Sequence, residues 1–270
     1  MASEVTGDGD PHVLRATFDD SPELYDRTRI VAPQELFDDL VAIASLAPGA
    51  RLLEIGCGTG QATMPLAERG FEIVAVELGE SLAAFARQKL ARFPQVEIVA
   101  SPFEQWDARA ERFDAVVAFN SFHWVDPELR FAKPAQMLRD RGALAVVGMR
   151  FVAPDGADPA WLELQEEYEA VVGPSARSQA PPHPDALIDR SAEFEESGCF
   201  RNVRLRRYLW QVTFDADGYI DLLRTSSWHR SLDDGVRRSL FERIHRRIRA
   251  ARARTITPTM GAVLYVAERA

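Results

Sequence analysis

A glycine-rich segment near residue 55 has the composition and spacing of a ligand-binding loop. Residues 52–60 read LLEIGCGTG, so a short apolar stretch leads directly into glycines 56, 58 and 60. Glycine permits a sharp turn and a close approach of the backbone to a ligand, and the N-terminus of a following helix offers N–H groups to an anion. The pattern therefore predicts a site for a nucleotide-like cofactor.

The loop differs from the dinucleotide fingerprint G-x-G-x-x-G, because Gln61 occupies the third glycine position. This difference disfavours a nicotinamide-dependent oxidoreductase, which we keep as the least favoured alternative. Glu77 ends a second apolar stretch, seventeen residues after Gly60. A carboxylate at that position can accept hydrogen bonds from both hydroxyls of a ribose.

Two histidines are candidates for proton transfer. His123 follows a fourth apolar stretch, and His229 lies beside Trp228 in the last third of the chain. Histidine titrates near neutral pH and is a frequent general base. His123 is the first candidate because ligands of open α/β sheets bind outside the carboxyl ends of the strands. The alternative is that His123 and Trp124 only pack on the sheet or shape a pocket.

The order of apolar and helical patterns predicts the elements that position these residues. We expect strands at 51–55, 72–76, 96–99, 113–119 and 142–149, with helices at 33–46, around Leu66, around Phe85 and at 128–138. Alternating strands and helices are typical of a doubly wound, mostly parallel α/β sheet.

The second half of the chain departs from this alternation. We expect a helix at 159–172, a loop at 173–184, a strand at 203–214, helices at 216–224 and 234–254, and a last strand at 262–267. The length of 270 residues suits one domain, over 18–270, after a flexible N-terminus at 1–17. Helical cap insertions are expected at about 151–192 and 213–258, before and within the last strand pair.

Composition excludes several classes. A formal net charge of −9 argues against binding nucleic acid over the whole surface. Cys57 and Cys199 belong to no CxxC or Cys/His cluster, so we expect neither a disulfide framework nor a metal site. No apolar run approaches the roughly 20 residues of a membrane-spanning helix, and residues 1–10 have no apolar core like that of a signal peptide. We expect a cytoplasmic protein that makes no use of a membrane.

The glycine-rich segment, with Glu54 two residues before the first glycine, resembles motif I of the class I S-adenosylmethionine-dependent methyltransferases. Further segments resemble the same family: SPFEQW at 101–106, FDAVVAF at 113–119, FHWVD at 122–126 and YDRTR at 25–29. The segments at 25–29 and 122–126 are similar to a small-molecule subgroup related in pattern to trans-aconitate methyltransferase. The resemblance covers residues 18–150 well and the remainder in outline.

The resemblance implies a Rossmann-like fold, S-adenosylmethionine as cofactor, and in-line methyl transfer to a small-molecule acceptor. It implies cofactor contacts by eleven residues: Glu54, Gly56, Cys57, Gly58, Gly60, Glu77, Leu78, Phe103, Phe119, Tyr25 and Arg29. His123 is the candidate catalytic residue. Other interpretations remain open, in which Phe103 and Trp106 are ordinary core, Tyr25 and Arg29 begin a surface helix, and Cys57 fills space in the loop.

A basic helix bears on the acceptor. Val236, Leu240, Ile244 and Ile248 form an apolar stripe, and eight arginines between Arg237 and Arg254 occupy the other faces. A solvated helix, an anionic acceptor and RNA are all compatible with it. RNA is disfavoured because the Asn/Asp-Pro-Pro-Tyr/Phe and Pro-Cys motifs of base methylation are missing. A protein that binds the cofactor without transferring its methyl group is a further alternative.

Overall fold

A twisted seven-stranded sheet forms the centre of the computed structural model, which describes residues 21–107, 112–173 and 180–270. The strand order is β3-β2-β1-β4-β5-β9-β6. Strands β1 to β5 run parallel, and β9 runs antiparallel to both β5 and β6. The strand bounds are β1 Arg51–Ile55, β2 Glu72–Glu77, β3 Val96–Ala100, β4 Phe113–Phe119, β5 Leu138–Val152, β6 Phe200–Gln211 and β9 Thr259–Arg269. The predicted doubly wound, mostly parallel sheet is confirmed.

Helices cover both faces of the sheet, as a parallel sheet requires. They are α1 Pro22–Thr28, α2 Gln34–Ile43, α3 Thr63–Glu68, α4 Glu80–Lys89, α5 Ala132–Met137, α6 Pro159–Leu162, α7 Gln165–Val171, α8 Ser191–Glu196, α9 Ala216–Arg224, α10 Ser227–Ser231 and α11 Asp234–Ala250. One apolar layer contains Leu36 of α2 and Leu66 of α3. The other contains Met137 of α5 and Phe194 of α8.

The strand order reverses beside β1, which lies between β2 and β4. Chain connections leave the sheet on opposite sides at such a point, and a crevice opens outside the carboxyl ends of the strands. The glycine-rich loop follows β1, Glu77 is the last residue of β2, and a single 3-10 turn, Phe122–Trp124, comes just after β4. The fold thus brings the three predicted features of the site to one edge of the sheet.

A cap of helices stands over this edge. Residues of α6, α7, α9 and α11 share one apolar cluster, whose members include Trp161, Leu164, Tyr219, Leu223 and Ile244. A two-stranded ladder, β7 Phe214–Asp215 with β8 Thr255–Ile256, closes the base of the cap. The sequence analysis missed this ladder and also α8 and α10.

The helix predicted at 128–138 begins later, at Ala132. The Asp126 side chain accepts the Glu128 N–H at 2.8 Å, which holds the preceding residues in a turn. The helix ends at Met137 because Leu138 already pairs with Phe113 in the sheet. The strand predicted at 142–149 is correspondingly longer in the structure, as β5.

Three further boundaries differ from the prediction. The helix predicted at 159–172 divides into α6 and α7. Between them the backbone hydrogen bonds join residues three apart, such as the Leu164 N–H and the Trp161 carbonyl at 3.1 Å. The side chains of Trp161 and Leu164 both pack in the cap cluster. The strand at 203–214 is β6, and Phe214 pairs instead with Ile256. The helix at 234–254 ends at Ala250, since Ala251 is extended. The predicted flexible N-terminus at 1–17 and residues 174–179 of the predicted loop at 173–184 lie outside the described residues.

None of the helices in the described ranges is both long and apolar enough to cross a membrane.

Candidate functional site

A cavity of about 370 Å³ opens at the carboxyl ends of β1, β2 and β4. Its lining includes His123 and all of the predicted cofactor residues except Gly60: Tyr25, Arg29, Glu54, Gly56, Cys57, Gly58, Glu77, Leu78, Phe103 and Phe119. The structure therefore brings together residues from α1, from three strands and from the segments that follow them. A volume of several hundred cubic ångströms is typical of cofactor sites.

Glu77 and the glycine-rich loop are joined by hydrogen bonds. The Gly58 N–H donates to Glu77 Oε2 at 2.8 Å, and the Gly79 N–H donates to Glu77 Oε1 at 2.9 Å. The Gly58 N–H is therefore bound to the buried Glu77 carboxylate. The N–H of Gly60 also has a partner, the Cys57 carbonyl, at 2.9 Å.

Three glycines of the loop are needed for different physical reasons. A Cβ on Gly56 would lie 2.6 Å from Ser121 Cβ, and one on Gly60 would lie 2.9 Å from Leu90 Cδ1. Gly60 thus packs the loop on α4, and it lies outside the cavity lining. Gly58 has φ +57, and its Cβ would face the Tyr25 ring at 3.4 Å. Only the Gly58 position combines a positive φ with a ring that bounds the cavity.

Two ionisable side chains are buried behind the loop. Glu54 is 1% exposed, and burial, reinforced by the charge of Glu77, raises its pKa to about 7. Burial raises the pKa of the Cys57 thiol well above its ordinary value, and the carboxylates of Glu54 and Glu77 act in the same direction. Cys57 therefore stays protonated, which agrees with a space-filling role and disfavours a nucleophile.

The raised pKa of Glu54 makes the stability of the protein depend on pH. The unfolded side chain ionises above about 4.5, whereas the folded one keeps its proton up to about 7. The folded state then binds more protons between these values, so its stability falls as the pH rises from 4.5 to 7. We expect Glu54→Gln to remove this loss, which is roughly 3 kcal/mol at pH 7.5 for a shift of this size.

Urea unfolding of wild type and variant at pH 4.5, 6 and 7.5 measures this effect. Glu97→Gln, an exposed position on β3, is the matched control and should leave the pH profile unchanged. A difference between wild type and Glu54→Gln that stays constant across the three pH values would contradict the assignment.

Helix α1 links the loop to the cap. Asp26 Oδ1 accepts a bond from Lys89 Nζ at 2.6 Å and another from Thr59 Oγ1 at 2.8 Å. On the other side, Arg29 Nη2 donates to the Thr225 carbonyl at 2.9 Å, and its guanidinium lies 4.3 Å from the centroid of the Tyr25 ring. Tyr25 and Arg29 thus form one wall of the cavity, so they are more than the start of a surface helix.

The two aromatic residues of the segment at 101–106 have different surroundings. Phe103 is buried and lines the cavity, and Lys133 Nζ lies 5.2 Å from the centroid of its ring. Trp106 packs on Phe113, with ring centroids 6.4 Å apart, and it lies outside the lining. Only Phe103 of this pair is placed to contact a ligand.

The two candidate histidines lie in different cavities. His123 is exposed on the 3-10 turn after β4, with its ring 4.9 Å from that of Trp124, and it lines the cavity described above. His229 is buried in α10 and lines a second cavity beneath the cap. Sequence reasoning missed other lining residues: Asn120, Ser121, Ser226 and Ser227. Among them only the Asn-Ser pair directly after β4 gave a signal, since asparagine tolerates the positive φ of 53° that Asn120 adopts.

Comparison with known proteins agrees with this geometry. Residues 53–146 match the family model described as a methyltransferase domain. This segment of the chain is therefore a methyltransferase domain. The match begins in β1 and ends in β5, so it spans the glycine-rich loop, Glu77 and His123. The finer likeness to trans-aconitate methyltransferase stays a prediction.

Several known proteins resemble the methyltransferase domain. An uncharacterised methyltransferase of Mycobacterium tuberculosis is 32% identical over 134 residues, which are 50% of this chain and 52% of that protein. "Probable ribosomal RNA small subunit methyltransferase A" of Methanosarcina mazei is 31% identical over 58% of this chain and 62% of its own. Demethylmenaquinone methyltransferase of Mycobacterium sp. (strain KMS) is 28% identical over 69% of this chain and 79% of its own. The chain thus spans about half the length of the first of these relatives.

A solved structure supports the fold. The methyltransferase of Geobacter sulfurreducens, in complex with S-adenosyl-L-homocysteine, superposes on this chain with a TM-score of 0.52 at 15% identity. The superposition covers 92% of this chain and 96% of the other. At this identity the likeness concerns the fold, and the architecture of the methyltransferase domain therefore extends through the last strands of the sheet.

Proposed function

We propose that this protein binds S-adenosylmethionine in the 370 Å³ cavity and transfers its methyl group to a small molecule. The observation that carries the proposal is the joining of the glycine-rich loop to Glu77 at the carboxyl ends of β1 and β2. This arrangement lies within a methyltransferase domain, and no side chain at position 58 blocks the approach to it.

The residues of the cavity fit the chemistry of this cofactor. Glu77 is 7% exposed, and each carboxylate oxygen retains acceptor capacity for a ribose hydroxyl beside the N–H that it already holds. Leu78 and Phe103 offer apolar contact to a flat base. Tyr25 and Arg29 stand where they would bound the amino-acid end, and the guanidinium of Arg29 suits a carboxylate.

The chemistry divides between the cofactor and the chain. S-adenosylmethionine supplies a methyl group made electrophilic by a positively charged sulfur. The protein holds the acceptor in line with that group and excludes water. Where the acceptor atom is a hydroxyl, amine or acidic carbon, His123 takes the proton that the atom loses and passes it to solvent, to which the imidazole is exposed.

A small-molecule acceptor is proposed because the cap and the strand ends leave two adjoining cavities of about 370 and 360 Å³, a size that suits a small ligand. Two of the arginines of α11 are already paired, with Arg243 and Arg247 bonding the buried Glu167 at 2.6 and 2.7 Å. This pairing reduces the case for RNA or for an anionic acceptor at this helix. The named acceptors of the relatives, a ribosomal RNA and demethylmenaquinone, belong to different classes.

Calorimetric titration with S-adenosylmethionine and S-adenosylhomocysteine tests the cofactor site. Saturable binding of both at one site supports the proposal, and turnover is then sought with a panel of small acceptors and with RNA. Failure of the folded protein to bind either compound would contradict the cofactor site. Binding without turnover on any acceptor would favour a binding protein that has lost transfer activity.

His123→Ala should lower turnover more than cofactor affinity. Loss of a general base costs roughly 10²–10⁴-fold in kcat, whereas we expect the dissociation constant for S-adenosylhomocysteine to change by less than about threefold, roughly 0.6 kcal/mol. His245→Ala, on α11, is the matched control, because this imidazole pairs with Asp217 of α9 and belongs to neither cavity lining. An unchanged kcat in His123→Ala would remove this residue from the mechanism.

A further inference from the structure

A second cavity, of about 360 Å³, lies beneath the cap and adjoins the first. Five residues line both cavities: Arg29, Ile30, Asn120, Met149 and Ser226. We propose that this second cavity, the acceptor chamber, binds the methyl acceptor, and that the acceptor is an aromatic compound with a hydroxyl group. The ligand of this chamber is a methyl acceptor only if the proposed methyl transfer is right, so the inference rests on the proposed function. Binding of a ligand to the chamber can be measured independently of methyl transfer.

Five aromatic side chains line the acceptor chamber beside aliphatic ones. Phe151 of β5 packs on Trp161 of α6 and on Tyr219 of α9, with ring centroids 5.7 and 6.5 Å apart. Trp228 of α10 and Tyr168 of α7 form a further pair at 5.9 Å. Aromatic rings gain both buried apolar area and favourable ring geometry when they pack against other rings. A flat aromatic body suits these walls better than a sugar or a flexible polar chain.

An uncharged polar pair stands among these rings. Tyr168 Oη and His229 Nε2 are 3.0 Å apart. Burial lowers the pKa of His229 to about 3, and burial raises the pKa of Tyr168 well above its ordinary value, so both side chains are neutral near pH 7. The pair can therefore share one hydrogen bond without bringing charge into the chamber.

Two polar atoms at the chamber lack a partner within the described part of the chain. They are His229 Nδ1 and Gln165 Nε2, both buried. A buried polar atom without a hydrogen bond is costly, which favours a ligand that supplies one. A hydroxyl can donate and accept, so it can satisfy His229 Nδ1 in either tautomer. This requirement is the reason for placing a hydroxyl group on the acceptor.

The charges around the acceptor chamber disfavour a cation. Arg29 and Arg150 belong to the lining, whereas no aspartate or glutamate among the described residues does. The nearby Glu167 is occupied by Arg243 and Arg247. The two guanidinium groups would repel a protonated amine, whereas they would stabilise a hydroxyl that becomes partly negative. The charge pattern thus separates aromatic hydroxyl compounds from aromatic amines.

Titration of the full chain with 1-naphthol, in the presence of saturating S-adenosylhomocysteine, tests the inference. Trp161 and Trp228 lie in the chamber walls, so tryptophan fluorescence reports occupancy alongside calorimetry. We expect 1-naphthol to bind roughly tenfold more tightly than 1-naphthylmethylamine, which is cationic, and about fivefold more tightly than naphthalene, which has no hydroxyl. Equal affinity for all three compounds would overturn the proposal.

Variants locate the binding site. His229→Phe keeps a ring but removes Nδ1, and we expect 1-naphthol affinity to fall roughly fivefold, to about that of naphthalene, with naphthalene affinity unchanged. His229→Phe alone leaves the Tyr168 hydroxyl without its hydrogen-bond partner, which could destabilise the fold. The double variant Tyr168→Phe with His229→Phe removes both polar groups and so avoids this cost. His245→Phe, on α11 and outside the chamber lining, is the matched control. Wild-type 1-naphthol affinity in both chamber variants would overturn the proposal.

The two proposals fail in different ways. If S-adenosylhomocysteine does not bind but 1-naphthol binds and responds to His229→Phe, the cofactor site is wrong and the acceptor chamber stands as a binding site. If S-adenosylhomocysteine binds and 1-naphthol does not, the proposed function stands and the acceptor class is wrong.

Discussion

Replacing Gly58 with valine should abolish measurable binding of S-adenosylhomocysteine. The Gly58 Cβ would lie 3.4 Å from the Tyr25 ring, within the cavity lining, and a branched side chain would extend further into the space between them. The backbone at this position has φ +57, so valine would also strain the turn that presents the Gly58 N–H to Glu77. We expect a loss of at least about 100-fold in affinity, or roughly 2.7 kcal/mol, by calorimetry.

Gly70→Val is the matched control for this experiment. Gly70 has φ +82, so valine there carries a comparable backbone cost, but a Cβ at that position meets nothing within 4 Å. Both variants should lose stability by about 1–2 kcal/mol, whereas only Gly58→Val should lose the ligand. Wild-type affinity in a folded Gly58→Val protein would overturn the placement of the cofactor, and loss of binding in both variants would assign the effect to backbone strain.

Glu77→Gln should weaken binding of S-adenosylhomocysteine by roughly 30-fold, a little over 2 kcal/mol. The carboxylate accepts the N–H groups of Gly58 and Gly79 on its two oxygens. An amide can offer only one oxygen, so its NH₂ group would face one of these donors and the loop would lose an anchor. Hydrogen bonds to a charged group contribute about 1.5–3 kcal/mol, and the ribose hydroxyls would lose the same charged acceptor.

The control for this prediction lies on the same strand. Glu72 is exposed at the start of β2, so Glu72→Gln changes the net charge equally without touching the loop. Melting temperature, with and without S-adenosylhomocysteine, measures both variants. The ligand could raise the melting temperature of Glu77→Gln as much as that of wild type. That result would show that Glu77 stabilises only the protein fold and makes no contact with the cofactor.

The sheet was largely predictable from the sequence. The strands at 51–55 and 113–119 match β1 and β4, because buried parallel strands are continuous apolar runs bounded by turn residues. The cap was predictable only in outline. Short helices such as α8 and α10, and the two-residue strands β7 and β8, depend on contacts with distant segments, and so short a stretch carries too little periodicity to reveal them.

The cofactor cavity was predictable because its main features are local or follow from strand order. A glycine at positive φ, an acid at the end of the next strand and a histidine after the fourth strand are each visible in a few residues. The roles of these residues stay predictions until the titrations above are made. The resemblance singled out Phe103 and left Trp106 out, but the choice between cavity and core for these two rings depends on packing, which places Phe103 in the cavity lining and Trp106 on Phe113.

The sequence by itself thus determined the class of fold and the position of the cofactor loop, because backbone conformation there is fixed by neighbouring residue types. Tertiary structure alone decided the acceptor chamber. Arg29 directly follows α1, whereas Phe151, Tyr168 and His229 come from β5, α7 and α10. These residues meet only when the cap packs on the strand ends. The burial that makes His229 neutral arises from the same packing, so no local pattern around Trp228 could have revealed it.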